Sequence, residues 1–244
     1  MKKKFIIVLG FLIFTAGMVV SACIISRFIV KVEQADTISV KGFAETPVIS
    51  DYGTMNITVK AENEKLEAAV RQLKENVKTV KAQLVKAGFK PDQIEIKPFT
   101  VNNEKVYDES KGKYIEVKPQ KLRLSQELNI STGNVKLLKD SSISIQNCMG
   151  NGIMLDVYGP FFYVSDLSKV KLKLMADATA NAAKRARAIA GRGGASLGKI
   201  VKASQGVFQV NRPNDTTSSS YGNYDKETIE KSVRAVVSIK YKLK

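Results

Sequence analysis

The chain has no histidine, no tryptophan and only two cysteines, Cys23 and Cys148. The commonest general base and the commonest metal ligand are therefore absent, and two thiols cannot build a thiolate cluster. Chemistry would have to come from carboxylates, Lys, Ser, Thr or Tyr. Gly193-Gly194-Ala195-Ser196-Leu197-Gly198-Lys199 has the glycine and lysine spacing of a phosphate-binding loop, but Ile200 stands where the magnesium-binding Ser or Thr is required. The segment also follows a helical pattern and enters a strand pattern, the reverse of the order that motif needs. Ser196 and Lys199 satisfy Ser-x-x-Lys, the signature of penicillin-binding enzymes, without either companion motif. A helix end leading into a strand explains both spacings. Glu64, Glu67 and Glu75 alternate with lysines as solvated helical pairs do. Asp108 and Glu109 sit in a polar loop with no imidazole nearby in sequence, which suits neither a metal nor an acid–base dyad. No catalytic, cofactor-binding or metal-ligating residue is assigned. The chain is read as non-enzymatic and cofactor-free, with an unrecognised hydrolase centred on Ser196 or Lys199 as the rival.

Charge is the other chemical resource. Thirty-nine Lys and Arg against 23 Asp and Glu give +16 over 244 residues. Lys184, Arg185, Arg187 and Arg192 crowd one helical end, where they also suit the helix dipole. They form a candidate surface for an anionic ligand, either envelope polymer or lipid head groups, supplemented by the lysines of the first long helix. Nucleic acid would call for a basic patch with interleaved aromatics. The basic residues are instead spread along the chain, so nucleic acid is not expected as a partner.

Lys2, Lys3 and Lys4 precede an uncharged run from Phe5 to Ile25, and Arg27 and Lys31 follow it. At helical rise this run spans roughly 30 Å, one bilayer core. It is longer than a signal-peptide apolar region. Residues 1–33 therefore read as an uncleaved signal anchor, with the lysines inside and residues 34–244 exported across the plasma membrane. Two alternatives stand beside it. Val20-Ser21-Ala22-Cys23 resembles a bacterial lipobox, which makes Cys23 a candidate lipidation site, and the run could be cleaved as an ordinary signal. Cys148 then has no disulfide partner and reads as a buried free thiol.

The elements that follow are strongly patterned. Thr37 to Gly42 and Tyr52 to Lys60 alternate as strands, the second with Met55, Ile57 and Val59 on one face. Asn63 can cap a helix to about Ala87, in which Leu66, Val70, Leu73, Val77, Val80 and Leu84 recur at three- and four-residue spacing before Gly88 and Pro91. Strands follow at Ile94–Phe99 and Leu122–Ile130, with a hairpin-like polar loop from Asn102 to Pro119 between them. A helix is predicted from Asn134 to about Gln146, and a strand from Leu155 to Val164 interrupted at Gly159-Pro160. A second long helix, opened by Asp166 or Ser168, runs to about Ala190 and is rich in alanine. Lys199–Ala203 is a strand, Val207–Glu227 a long mobile loop, and Ser232–Leu243 a closing strand. This last strand is read as an edge able to pair between subunits. The order β-β-α-β then β-α-β-α-β-β predicts an α+β fold of mixed or antiparallel sheets with two long helices, plus the N-terminal transmembrane helix.

Three segments carry a family resemblance. Ile38-Ser39-Val40-Lys41-Gly42-Phe43-Ala44-Glu45 is the first, and Leu84-Val85-Lys86-Ala87-Gly88-Phe89 with Pro91-Asp92-Gln93-Ile94 is the second. The alanine-rich Ala176–Ala190 helix, followed by Leu197-Gly198-Lys199-Ile200, is the most specific. Together with the closing strand they resemble the bacterial SIMPL-domain proteins, in the exported, envelope-associated branch. That resemblance implies an α+β domain in the periplasm or at the cell surface, self-association into oligomers, and a link to oxidative-stress tolerance. It supplies no catalytic residues. The functional expectation is a membrane-tethered, exported envelope protein that self-associates. A binding module for an anionic envelope polymer or lipid is the alternative.

Overall fold

The computed structural model describes residues 10, 14–26, 36–103, 105–108, 112–116 and 121–244. Residues 14–26 are helical (α1) and exposed throughout, with Phe14, Met18, Val19, Val20, Ile24 and Ile25 each more than half exposed. Among the described residues no helix is long and apolar enough to cross a membrane. Most of the anchor's first half, with Lys2, Lys3, Lys4, Arg27 and Lys31, lies outside the described residues.

The chain is α+β, with mostly antiparallel sheets, and divides into two compact units. The larger comprises Glu45–Leu174 and Val207–Arg234. Its main sheet has the order β3 (Ile94–Ile96), β7 (Leu122–Thr132), β2 (Tyr52–Asn63), β8 (Met154–Tyr163), and β4 (Thr100–Asn103) also pairs with β7. The predicted alternation sets the register: Met55 faces Ile130, Ile57 faces Leu128, and Ile57 also faces Val157. One sheet face is thereby apolar. Helix α2 (Leu66–Ala87) covers it with Ala69, Leu73, Val77, Val80 and Leu84, all buried. Each fully buried Leu or Val contributes about 1.5–3 kcal/mol of hydrophobic stabilisation. Gly88, at φ 116°, ends α2, donating its N–H to the Val85 carbonyl, while Phe89 N–H reaches Leu84. Asn63 does not cap this helix. It closes β2, its side chain accepts from Lys65 N–H, and the helix opens at Leu66.

The next helix, α3 (Val135–Ser144), is capped by Asn134, which accepts from Leu137 N–H at 3.0 Å. A short turn of helix, α4 (Asn147–Gly150), follows and brings Cys148 into the core. The polar segment before β7 forms the expected hairpin, β5 (Lys105–Asp108) against β6 (Lys113–Glu116), with Tyr107 opposite Tyr114. Glu109 lies outside the described residues.

The smaller unit draws its described residues from Met1–Ala44, Met175–Gly206 and Ala235–Lys244. Here β12 (Glu230–Leu243) pairs antiparallel with β9 (Leu197–Gln205) and neighbours β1 (Thr37–Ile49) on its other side. Helix α5 (Ser168–Arg192) packs Ala178, Ala182 and Ala186 onto Val40, Val237, Ile239 and Tyr241. The fit is close. A Cβ on Gly42 would stand 2.2 Å from the Ala178 carbonyl oxygen and 2.7 Å from Ala182 Cβ.

Two sequence expectations are corrected. The closing strand is not an edge, because β12 has neighbours on both sides; among the described residues the strands with β12 as their one partner are β9 and β1. Val207–Glu227 is not an unstructured loop. It contains β10 (Gln209–Asn211), fully buried and paired antiparallel to β12, and β11 (Asn223–Tyr224), paired in parallel to β10. Polar side chains serve that segment as a core: Gln209 Nε2 donates to the Ser219 carbonyl at 2.7 Å, and Asn211 Nδ2 donates to the Thr217 carbonyl at 2.7 Å.

Candidate interaction surfaces

The residues singled out for chemistry do not converge. Ser196 is bonded to the chain end, its N–H and hydroxyl both reaching the Lys244 carbonyl, at 2.8 and 3.3 Å. Lys199 lies along β9, where extended backbone turns neighbours to alternate faces. Gly193 and Gly194 terminate α5, with Gly194 at φ 75°, so the glycines end a helix as their order predicts. Among the described residues no group of three or more His, Cys, Asp or Glu could hold a metal ion.

Lys184, Arg185, Arg187 and Arg192 are all exposed on α5. Lys184 and Arg187 point away from the buried Ala178, Ala182 and Ala186 stripe, while Arg185 flanks it. The four form an exposed cationic surface and line none of the cavities found among the described residues. Arg185 has a structural task as well: its Nη1 donates to the Lys41 carbonyl at 2.8 Å, and the guanidinium lies 6.0 Å from the Phe43 ring centroid. It therefore clamps β1 at the point where Gly42 allows the helix to approach.

The two cysteines are free and differ in setting. Cys23 is exposed on α1. Cys148 is buried, and burial pushes its thiol above the ordinary range, so it is a poor nucleophile at neutral pH.

The densest polar cluster was not singled out from the sequence. Lys231 is buried, its side chain inaccessible to solvent, and its ammonium donates to Asp225 Oδ2 at 3.1 Å and to the Thr228 carbonyl. Asp225 also accepts from the N–H of Glu227 and of Thr228 and from the Thr228 hydroxyl. Arg212 Nε lies 3.6 Å from Asp225, and its Nη2 donates to Glu227 at 2.7 Å. Burial alone would raise the Asp225 carboxyl, but the bonds from Thr228, Lys231 and the two amides outweigh it and hold the group below the usual carboxylate range. Burial lowers Lys231, and Asp225 opposes that shift. One signal could have found the cluster. Lys231 falls in the same alternating phase as Val233, Ala235, Val237, Ile239 and Tyr241, the inward row of β12. A lysine in an apolar phase needs a buried partner.

The edge of β9 is the other notable surface. Residues 199–205 are exposed on both faces, with Ile200 at 54% and Val201 at 58%. Among the described residues β9 pairs with β12 alone.

No curated protein matches the sequence. A family model described as SIMPL, protein of unknown function (DUF541), matches residues 38–241, from the second residue of β1 to the last residues of β12. That span takes in both compact units, and the chain therefore belongs to the SIMPL (DUF541) family.

Proposed function

We propose that this is a membrane-tethered, exported protein of the cell envelope that self-associates, with β9 as the pairing edge. The observation that carries the reading is the open edge of β9, nine residues long, with Ile200 and Val201 exposed. Unpaired N–H and C=O groups on such a strand are a template for another strand. An antiparallel pairing of two copies centred on Val201 would set Lys202 against Ile200 and Lys199 against Ala203. No lysines then face each other, and apolar side chains meet at the centre. Tethering is supported by the uncharged run Phe5–Ile25 and by the exposed position of Cys23 on α1, whether the run acts as an uncleaved anchor or Cys23 carries lipid. The link to stress tolerance rests on the family resemblance alone.

The test is the native mass of the full-length protein in mild detergent, by light scattering after size exclusion at physiological salt. A discrete multiple of 26.8 kDa is expected. Val201→Pro, which removes an N–H and blocks strand addition, is expected to return the mass to one chain. A monomeric wild type overturns the reading.

The exposed cationic face of α5 favours a second reading, a binding module for an anionic envelope polymer or lipid. Binding to anionic vesicles that weakens with salt, and is lost when Lys184, Arg187 and Arg192 become Gln together, would carry it. Arg185 is kept, because it holds β1.

A further inference from the structure

The two compact units differ sharply in charge. The larger carries 24 Lys and Arg against 20 Asp and Glu, a near balance. In the smaller unit, from Asp36 onward, ten Lys and Arg meet two acids, Asp36 and Asp177. Part of that excess is gathered on one surface.

Helix α5 covers one face of the smaller unit's sheet, where Val40 and Gly42 of β1 lie with Val237, Ile239 and Tyr241 of β12. Alternation turns Lys41, Lys240 and Lys242 to the other face. Lys202 of β9 stands directly opposite Lys240 in the strand register and joins them. All four are exposed, and they span three neighbouring strands in the order β1, β12, β9. Like charges directly opposite each other are unfavourable in a sheet. A neighbouring carboxylate would relieve them, but among the described residues none of the four is paired with one. Asp177 belongs to α5, on the covered side. No cavity found among the described residues is lined by any of the four, so the face suits an extended anionic surface better than a small ligand.

The connectivity of the chain says which surface. The strand that carries Lys41 begins at Thr37, and residues 27–35 with Asp36 join it to α1. Nine residues, 27–35, reach at most about 30 Å when fully extended. Leu243 N–H donates to the Asp36 carbonyl at 2.7 Å, so Lys242 and Lys244 sit at the end of the sheet where the chain arrives from residues 1–33. A lysine close to an anionic bilayer shifts the docking equilibrium by about fivefold.

We infer that the open face of this sheet docks on anionic phospholipid head groups of the membrane that anchors the chain, through Lys41, Lys202, Lys240 and Lys242. The inference rests on the tethered reading of residues 1–33. It is separate from self-association, and from binding by α5, which covers the opposite face of the sheet.

The test uses the lack of tryptophan in the chain. Ser204→Trp puts a single indole at an exposed position on the same face, two residues along β9 from Lys202. The full-length variant is reconstituted in vesicles of phosphatidylcholine alone, and of phosphatidylcholine and phosphatidylglycerol in equal parts, each with a nitroxide-headed lipid as quencher. Quenching is expected in the anionic vesicles and is expected to fall as salt rises. Changing Lys41, Lys202, Lys240 and Lys242 to Gln together is expected to abolish it, and Lys202→Gln alone to shift the docking equilibrium about fivefold. Changing Lys184, Arg187 and Arg192 to Gln is expected to leave it in place. Equal quenching in both vesicles, an unchanged quadruple variant, or loss with the α5 variant overturns the inference. Quenching in neither vesicle, the result for a face that takes protein or polymer instead, overturns it too. Flotation of the chain with neutral vesicles at high salt reads the tether by itself, so a failed tether and a failed docking face are told apart. All the substituted side chains are exposed, so the variants fold.

Discussion

The two long helices solve the same problem with opposite materials. In the larger unit α2 presents Leu73, Val77, Val80 and Leu84 to a sheet that answers with Met55, Ile57, Leu128 and Ile130. In the smaller unit α5 presents Ala178, Ala182 and Ala186, and the sheet answers in part with Gly42, which carries no side chain. The first core is held by the area it removes from water, and the second by close approach of backbones. A core of large side chains fails by losing volume. A core of small ones fails by gaining it.

The largest expected effect tests that asymmetry. Gly42→Val places side-chain atoms where the Ala178 carbonyl already lies, so α5 must lift away. A loss of more than about 4 kcal/mol is expected, at the diagnostic end for single substitutions. Hydrogen exchange should rise across residues 178–186 while α2 stays protected. Equal exposure of both helices would mean that the two cores are one cooperative structure. Leu73→Ala should cost about 3 kcal/mol in denaturant melts by leaving a cavity under α2. The opposite change under α5, Ala182→Leu, should destabilise by about 2 kcal/mol through overpacking.

Charge sharpens the contrast. Asp225→Asn strands the Lys231 ammonium in a buried site and is expected to cost about 3 kcal/mol, with the Val207–Thr228 segment becoming sensitive to protease. Acid should act on the same unit. Asp51, Glu95, Asp215 and Asp225 all lie in it and are all held below their usual ranges, chiefly by hydrogen bonds from Ser165, Lys97 and Thr217, and at Asp225 by those that outweigh burial. A depressed native pKa means that the unfolded chain binds more protons in acid. The stabilisation is therefore complete above the unfolded value, 3.8 for Asp225, and is lost as pH falls through the native one. Exchange measured below that point should open the larger unit before the smaller. The smallest effect is Asn134→Ala, about 1 kcal/mol from one lost helix cap, read as a shift in the melting midpoint.

How much of this was legible in sequence depended on range. A helix from about Asn134, Gly88 and Gly193 as helix ends, and the inward rows of β2 and β12 all follow from neighbours within a few residues. The order within Val207–Glu227 is not legible in sequence, because Asn, Ser and Thr carry no periodic apolar signal. Its order comes from amide side chains bonded to backbone, as Gln209 and Asn211 show. The Arg212–Asp225–Lys231 cluster is equally hidden, because its members lie on a segment whose closure only the fold reveals.

Composition and periodicity by themselves determined that histidine chemistry is absent, that the chain is α+β, and that one long helix carries a stripe of large apolar side chains and the other a run of alanines. These are local properties, fixed by residue type and by repeats of two and 3.6. Tertiary structure alone decided that β12 is interior and β9 an edge, that Arg185 clamps the Lys41 carbonyl, and that Lys231 is buried against Asp225. Each depends on which distant segment supplies the hydrogen-bond partner. Strand pairing and ion pairing are settled by the free energy of the whole packed arrangement, in which every buried polar group must find its complement.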